Sequence, residues 1–519
     1  MTLPSYHLRL SPADLRLHVP GSTRLQDVLF AQGVEFPCGG RGRCKGCRVK
    51  VLRGALNVTA EETNLLSKTE LDAGWRLACR HSIAGDLEVE LAQWEMSVLS
   101  DESQFAFTPR EGLGVAIDLG TTTIAAQLLD LRTGSVLGVR TALNTQACYG
   151  GDIMSRVEFA LHGGQAEMQR LGREQLGQMV GALLESAGGA GSPLRAGSDE
   201  GGRRAARATG NELKRVVIVG NTVMHHLFCG INIAPLSAYP FEPTQPGRVR
   251  LSPRELGWDL PAATAVEFLP CLGGFVGSDI LAGIVATGLH QSRDRMALMD
   301  LGTNGEVVVG NRERMLCTST AAGPAFEGAR IGMGMRAATG AISQVQVEDN
   351  FISCRVIGGG EPRGLCGSGL VDAVAAGLEL EWIHPSGRMA NRTEMPLAGS
   401  VLLSATDVRE LQLAKGAIAA GLRMLTIRLG ASLEDLKSIH LAGAFGNYIN
   451  RASAKRIGLL PMPLDRVVAA GNTALQGAKR ALFEDATAWD TITKRVAHVS
   501  LNEDPDFQHI YAEEMRFPG

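Results

Sequence analysis

The sequence predicts a small α+β domain followed by a larger α/β domain made of two duplicated halves. Three observations predict it. Four of the ten cysteines, Cys38, Cys44, Cys47 and Cys79, fall within the first eighty residues, among short stretches of alternating polarity. Residues 112–123, GLGVAIDLGTTT, form an apolar run that stops on Asp118 and turns through Leu-Gly-Thr-Thr-Thr. Residues 296–310, MALMDLGTNGEVVVG, repeat the pattern around Asp300. In such a strand-to-turn unit, backbone N–H groups and hydroxyls can wrap a phosphate while the aspartate holds a metal-bound water. One copy is a weak signal. Two matched copies look like a nucleotide held between similar half-domains.

Composition sets the frame. At 519 residues the chain has length for on the order of two to four domains with real cores. Hydrophobic residues at 45% and charged residues at 20% are ordinary for a globular protein, and a net charge of −3 gives no reason to expect nucleic-acid binding. No apolar run reaches the roughly 18–20 residues that a bilayer requires. The N-terminal stretch lacks the basic start and apolar core of a signal peptide. The expectation is a cytoplasmic protein with no membrane partner.

In the first module, YHLRL and LRLHV suggest a hairpin, and TRLQDVLFAQG reads as a helix. FPCGGRGRCKGCRVKV then gives C-x5-C-x2-C, with Cys79 following in WRLACRHSI. Zinc prefers paired C-x2-C knuckles, of which only one is present. A plant-type 2Fe-2S site uses C-x4-C-x2-C and a distant fourth cysteine, and a first gap of five is a small extension of that. Gly39, Gly40, Gly42 and Gly46 let the loop fold tightly and aim N–H groups at sulfur. Residues 5–91 thus resemble a β-grasp ferredoxin of the vertebrate-type spacing, within a domain set at 1–93. The resemblance implies a 2Fe-2S cluster on Cys38, Cys44, Cys47 and Cys79. Arg41, Arg43, Lys45 and Arg48 surround these positions, either raising the cluster potential, docking an acidic partner or simply facing water. The six remaining cysteines are scattered and read as small buried hydrophobes, with Cys366 in GLCGSGL the better functional candidate among them.

Residues 94–111 lack periodicity and read as a linker with a few anchoring aromatics. Beyond it, the ordered motifs resemble the superfamily of acetate and sugar kinases, actin and heat-shock chaperone ATPases, with its actin-like (ribonuclease H-like) fold in two duplicated subdomains, 112–297 and 298–519. After the first loop come the strand IAAQLLDL and a turn at Arg132-Thr133-Gly134. RVVIVGN then passes from strand into the helix TVMHHLFCG. CLGGFVGSDILAGIVATGL has small residues at helical spacing, suited to close helix contact. The second loop follows, then SIHLAGAFGNYIN with its Gly443-Ala444-Phe445-Gly446 turn, and GNTALQGAKRAL as a second small-residue helix. Taken singly, Gly-Ala-Phe-Gly is a tight turn, Asp279 a helix N-cap, and His225 and His226 packed residues. The order of the series is what points to nucleotide.

The resemblance assigns roles. Asp118, Asp279 and Asp300 would surround a hydrated Mg2+, since that ion gives up water reluctantly and favours a few carboxylates. Gly120, Thr121, Thr122, Thr123, Gly302, Thr303, Asn304 and Gly305 would contact the phosphates of ATP. Asp300 or Glu306 would orient the attacking water, with Asp300 preferred at the strand end. Gly443, Ala444, Phe445 and Gly446 resemble an adenosine-binding turn. In the helical VRELQLAKGAIAAGLRMLTIRLG, Lys415 and Gly416 resemble residues that face the nucleotide. Residues 185–211, rich in Gly, Ala, Arg and Ser, predict a mobile insert by composition.

As a whole, a ferredoxin joined to an actin-like ATPase and carrying DLGTTT, DLGTNGE, LCGSGLVD and AGAFGNYI resembles the reductive activators of corrinoid enzymes. The resemblance implies an iron-sulfur ATPase that returns cob(II)amide to cob(I)amide in the corrinoid protein of a methyltransferase or O-demethylase system. It also implies an electron donor reductase and, by family analogy, a homodimer. A plant-type 2Fe-2S centre lies near about −400 mV, and a base-off Co(II)/Co(I) couple is expected lower, so the electron must go uphill. ATP helps only by changing the relative stability of two states, and domain closure is the natural such element. Three alternatives stay open at this level. One is an activator of a 2-hydroxyacyl-CoA dehydratase, which would carry a four-iron cluster. The second is a small-molecule kinase with a redox-sensing ferredoxin. The third is a nucleotide-gated binding module.

Overall fold

The structure, a computed structural model, describes residues 4–11, 15–32, 34, 42, 47–91, 105–188, 212–302 and 304–519. The chain forms two compact units, each discontinuous in sequence. One comprises Met1–Ser97, Gln146–Arg156 and Pro324–Leu411. The other comprises Val98–Thr145, Val157–Gly323 and Gln412–Gly519. Residues 324–411 build sheets of their own.

In the first unit, β1 (Ser5–Ser11) and β2 (Leu15–Pro20) form the expected antiparallel hairpin. The helix Leu25–Ala31 follows, then β3 (Arg48–Arg53), β4 (Trp75–Leu77) and β5 (Leu87–Leu91). The sheet order is β2-β1-β5-β3-β4, with β1 and β5 parallel. The strand LEVEL shows why: its leucines and valine are buried and its glutamates are half-buried, the period of two that a one-sided core imposes. Leu8, Leu10, Leu25, Val49, Leu77 and Val89 make that core.

The second unit holds two six-stranded sheets that share the topology of five strands. Strands β6 (Leu113–Leu119), β7 (Thr123–Asp130), β8 (Val136–Leu143), β9 (Leu213–Val219), β10 (Val249–Leu251) and β11 (Ala265–Phe268) are ordered β10-β11-β9-β6-β7-β8. The second sheet starts with β12 (Met296–Leu301), β13 (Gly305–Gly310) and β14 (Met315–Thr320). The chain then visits the first unit. There β15 (Ala341–Glu348), β16 (Phe351–Val356) and β17 (Gly364–Leu365) form one small sheet, and β18 (Glu394–Ala398) pairs with β19 (Val401–Ser404). Back in the second unit, β20 (Ser438–Ala442), β21 (Val467–Gly471) and β22 (Val496–His498) complete the order β21-β20-β12-β13-β14-β22. In both sheets the first three strands are antiparallel neighbours and two later strands, β9 and β11 in one and β20 and β21 in the other, run parallel to the first. The sixth strand differs, β10 lying antiparallel to β11 and β22 parallel to β14 at the opposite edge. The near-continuous apolar runs of β6 and β12 are buried on both faces, as central strands require.

The helices Ser278–Ala286 and Thr473–Ala481 follow β11 and β21 and pack against one another, as their small residues predict. A Cβ at Gly477 would run into the carbonyl of Ala282. Phe105 and Phe107 lie 5.6 and 4.4 Å from the ring of Phe483, which anchors the end of the stretch read as a linker. Of the 185–211 insert, residues through Gly188 continue the helix Gln165–Gly188, and 189–211 lie outside the described residues. Among the described residues no helix is long and apolar enough to cross a membrane.

Candidate functional site

The first loop joins β6 to β7 with Asp118 one residue from the strand end. Asn144, itself buried, donates to the Gly120 carbonyl at 2.9 Å, and its own N–H donates to Thr122 O at 2.9 Å. The parallel neighbour β9 ends at Val219 opposite Asp118 and turns through Gly220-Asn221 into the helix Thr222–Cys229. Asn221 caps that helix by accepting from the N–H of Met224, and its amide donates to Thr121 Oγ at 2.9 Å. The helix that carries Asp279 in its first turn is tied to the same place: the N–H of Ser278 donates to Gly220 O at 2.9 Å.

In the second half Asp300 sits at the end of β12. Register places Glu306 directly across from it on β13, so both side chains share one face. The corresponding partner of Asp118 in the first half is Ala125, so the duplication is not symmetric in charge. Ser319 donates to Glu306 Oε1 at 3.1 Å. On the other side of β12, β20 ends at Ala442 opposite Asp300, and Gly443 (φ +80°) opens the short helix Gly443–Tyr448. Finally Asn472, which caps the helix Thr473–Ala481 through the N–H of Leu475, donates to Asp118 Oδ2 at 3.0 Å.

These elements bring Asp118, Asp279, Asp300 and Glu306 within electrostatic reach of one another. Each is half-buried by surface yet crowded by protein. Burial first, and then mutual repulsion, raises Asp118 to about 7 and Asp279 to about 8. Burial raises Asp300 to about 6. Glu306 is held well above the ordinary carboxylate range by burial and by the charges of Asp279 and Asp300. Four such groups call for a cation. Among the described residues no trio of His, Cys, Asp or Glu converges closely enough to ligate a metal directly.

Of the remaining predicted residues, Gly120, Thr121, Thr122, Thr123, Gly302, Asn304 and Gly305 line the two turns, and Thr303 lies outside the described residues. Lys415 is fully buried, and its ammonium donates to Arg516 O at 2.7 Å, which engages it with the C-terminal segment. His225 and His226 are buried, and burial lowers His225 to about 3, so it stays neutral packing. Burial pushes the thiols of Cys271 and Cys317 well above their ordinary 9.0. Cys366 is buried at the start of the helix Gly367–Glu379, with its sulfur 3.4 Å from Ile342 O.

Sequence reading missed Asn144, Asn221 and Asn472. A signal for two of them was present: Gly-Asn-Thr stands at 220–222 and again at 471–473, each time between a strand and a helix.

In the ferredoxin-like sheet, Cys47 and Cys79 are buried at neighbouring strand ends. Arg48 pairs with Leu77, and the N–H of Ala78 donates to Cys47 O at 3.1 Å. Glu62, fully buried, fastens this corner by accepting from the N–H of Leu77 at 2.6 Å and the N–H of Thr59 at 2.8 Å, with His81 Nε2 at 2.8 Å. Cys38 and Cys44 lie outside the described residues.

A family profile described as a 2Fe-2S iron-sulfur cluster binding domain matches residues 9–84. One described as the RACo middle region matches 113–194 and 203–292. One described as the C-terminal domain of RACo, the ASKHA domain, matches 294–519. The chain is 34% identical over 437 residues to the corrinoid activation enzyme RamQ of Eubacterium limosum, covering 78% of this chain and 70% of that protein. It is 26% identical over 443 residues to the Co(II) methylated amine-specific corrinoid protein reductase of Methanosarcina barkeri, covering 78% and 77%. Among solved structures, a reductive activator for corrinoid, iron-sulfur protein superposes with a TM-score of 0.63 at 25% identity, over 99% of this chain and 98% of that one.

Proposed function

The chain belongs to the RACo family of reductive activators of corrinoid proteins, and on that premise we propose that it couples ATP hydrolysis to one-electron reduction of a corrinoid partner. The substrate is inactive cob(II)amide in the corrinoid protein of a methyltransferase or O-demethylase system, and the product is cob(I)amide. An electron donor reductase in the cytoplasm supplies the electron. The observation that carries this reading is the set of four crowded carboxylates, Asp118 and Asp300 near the ends of duplicated strands with Asp279 and Glu306 beside them, in one chain with two buried thiols at adjoining strand ends.

Cys38, Cys44, Cys47 and Cys79 would hold the 2Fe-2S cluster, which supplies a low-potential one-electron carrier when bound. The placement of Cys47 and Cys79 fits such a group: both thiols are buried on adjacent strand ends. The carboxylate set fits Mg2+ held through water, and the ion supplies charge neutralisation for the phosphates. Thr121 and Thr122 and the turn N–H groups bind phosphate oxygens. Asp300 orients the water that attacks the terminal phosphate, and Glu306 stands opposite it on β13. The Gly443–Gly446 turn accepts the adenosine. Nucleotide acts on the redox step through its differential affinity for two conformations of the protein.

Purified protein with Mg-ATP, a low-potential reductant and a Co(II) corrinoid protein should give the visible spectrum of Co(I). Equal conversion without nucleotide would overturn the proposal. Two irons per chain are expected, and four would favour a dehydratase activator.

A further inference from the structure

The two halves reach across to each other at the starts of two helices that occupy equivalent places. In the first half Asp279 opens the helix after β11, and its strongest charge neighbour is Asp300 of the second half. In the second half Asn472 opens the helix after β21, and its amide touches Asp118 of the first half. One crossing therefore sets a carboxylate against a carboxylate, and the other sets a hydrogen-bond donor against one.

The orientation of Asn472 is fixed from both ends. Its Oδ1 accepts the N–H of Leu475 at 2.8 Å, which leaves only Nδ2 to face Asp118. Asn221 repeats the arrangement: Oδ1 takes the N–H of Met224, and Nδ2 donates to Thr121 Oγ. Two Gly-Asn-Thr turns, one from each half, thus converge on the same four-residue loop, 118–121. A cap needs only an oxygen, and serine supplies one as well as asparagine does. The second contact needs the amide.

We propose that Asn472 is a positioning residue for ATP hydrolysis, a strut from the second half that aims the Asp118 carboxylate at the metal-bound water. Asp118 keeps one oxygen for the strut and the other for the site. The helix Thr473–Ala481 packs on the helix bearing Asp279. The strut therefore makes the first loop's geometry depend on the seam between the halves. This inference rests on the ATPase reading given above.

Two variants separate the two contacts. Asn472→Ser keeps the helix cap and loses the reach to Asp118, whereas Asn472→Ala loses both. Melting temperature of the cluster-loaded protein without nucleotide should fall less in the serine variant, which loses one contact, than in the alanine variant, which loses both. The rise in melting temperature on adding Mg-ATP should require about tenfold more Mg2+ in both, the size expected for one hydrogen bond to a charged group. The kcat for ATP hydrolysis should fall together with it, while KM for ATP at saturating Mg2+ stays within about twofold. If the serine variant matches the native protein in Mg2+ dependence and kcat, Asn472 is a cap only and the inference fails. If the native protein itself shows no Mg-ATP shift, the ATPase reading fails instead.

Discussion

A Cβ placed on residue 443 would lie 2.6 Å from Oδ1 of Asp300, so the turn after β20 and the carboxylate at the end of β12 fit only when residue 443 is glycine. The backbone there also has φ +80°, which disfavours any side chain. Gly443→Ala should cost about 1–2 kcal/mol in stability. By pushing Asp300 aside it should cut ATP turnover more than about tenfold. Cluster absorbance should stay native. A variant with native turnover would show that this turn does not set the Asp300 geometry.

The chemistry of the two units can be separated. Asp300→Ala is expected to lower ATP-dependent Co(I) formation by about a hundredfold or more while leaving the visible spectrum of the cluster intact. Cys79→Ser should do the reverse, removing the cluster spectrum but sparing nucleotide binding measured by calorimetry. Full activation in either variant would refute that assignment.

Glu62 gives the ferredoxin-like sheet a pH dependence. Burial alone would raise its pKa, but hydrogen bonds from His81, Leu77 and Thr59 outweigh it and hold the carboxyl below 4.5. A lowered folded-state value means the stabilisation is present above the unfolded value and is lost as pH falls through the folded one. Glu62→Gln should cost about 2 kcal/mol at neutral pH. Acid titrations of native and variant protein, followed by cluster absorbance, should converge well below pH ~4.5. Curves that stay a constant distance apart would refute it.

The helix pair offers a stability test remote from the carboxylates. Gly477→Ala gains about 1 kcal/mol of helix propensity. Parting the helix from the Ala282 carbonyl should cost about 3 kcal/mol. A net loss of about 2 kcal/mol in chemical denaturation is expected, and a stabilised variant would contradict the close packing.

Taken by itself, the sequence determined the things that repeat or are covalently close. Two Asp-Leu-Gly-Thr turns implied two like halves, and C-x5-C-x2-C followed by Leu-Ala-Cys-Arg implied a ferredoxin. Alternating or continuous apolar runs gave the strands, because side-chain period is a local property of the backbone. Asp118 and Asp300 were legible for the same reason, each ending such a run. What tertiary structure alone decided was pairing across distance. Glu306 stands opposite Asp300 because of strand register, whereas Ala125 holds the matching place beside Asp118. Asn472 meets Asp118 across 354 positions of chain. Lys415 donates to the carbonyl of Arg516 across 101 positions. Hydrogen bonds and crowded charges of this kind act through space over a few ångströms, and no spacing along the chain encodes which distant strands and helices will bring their ends together.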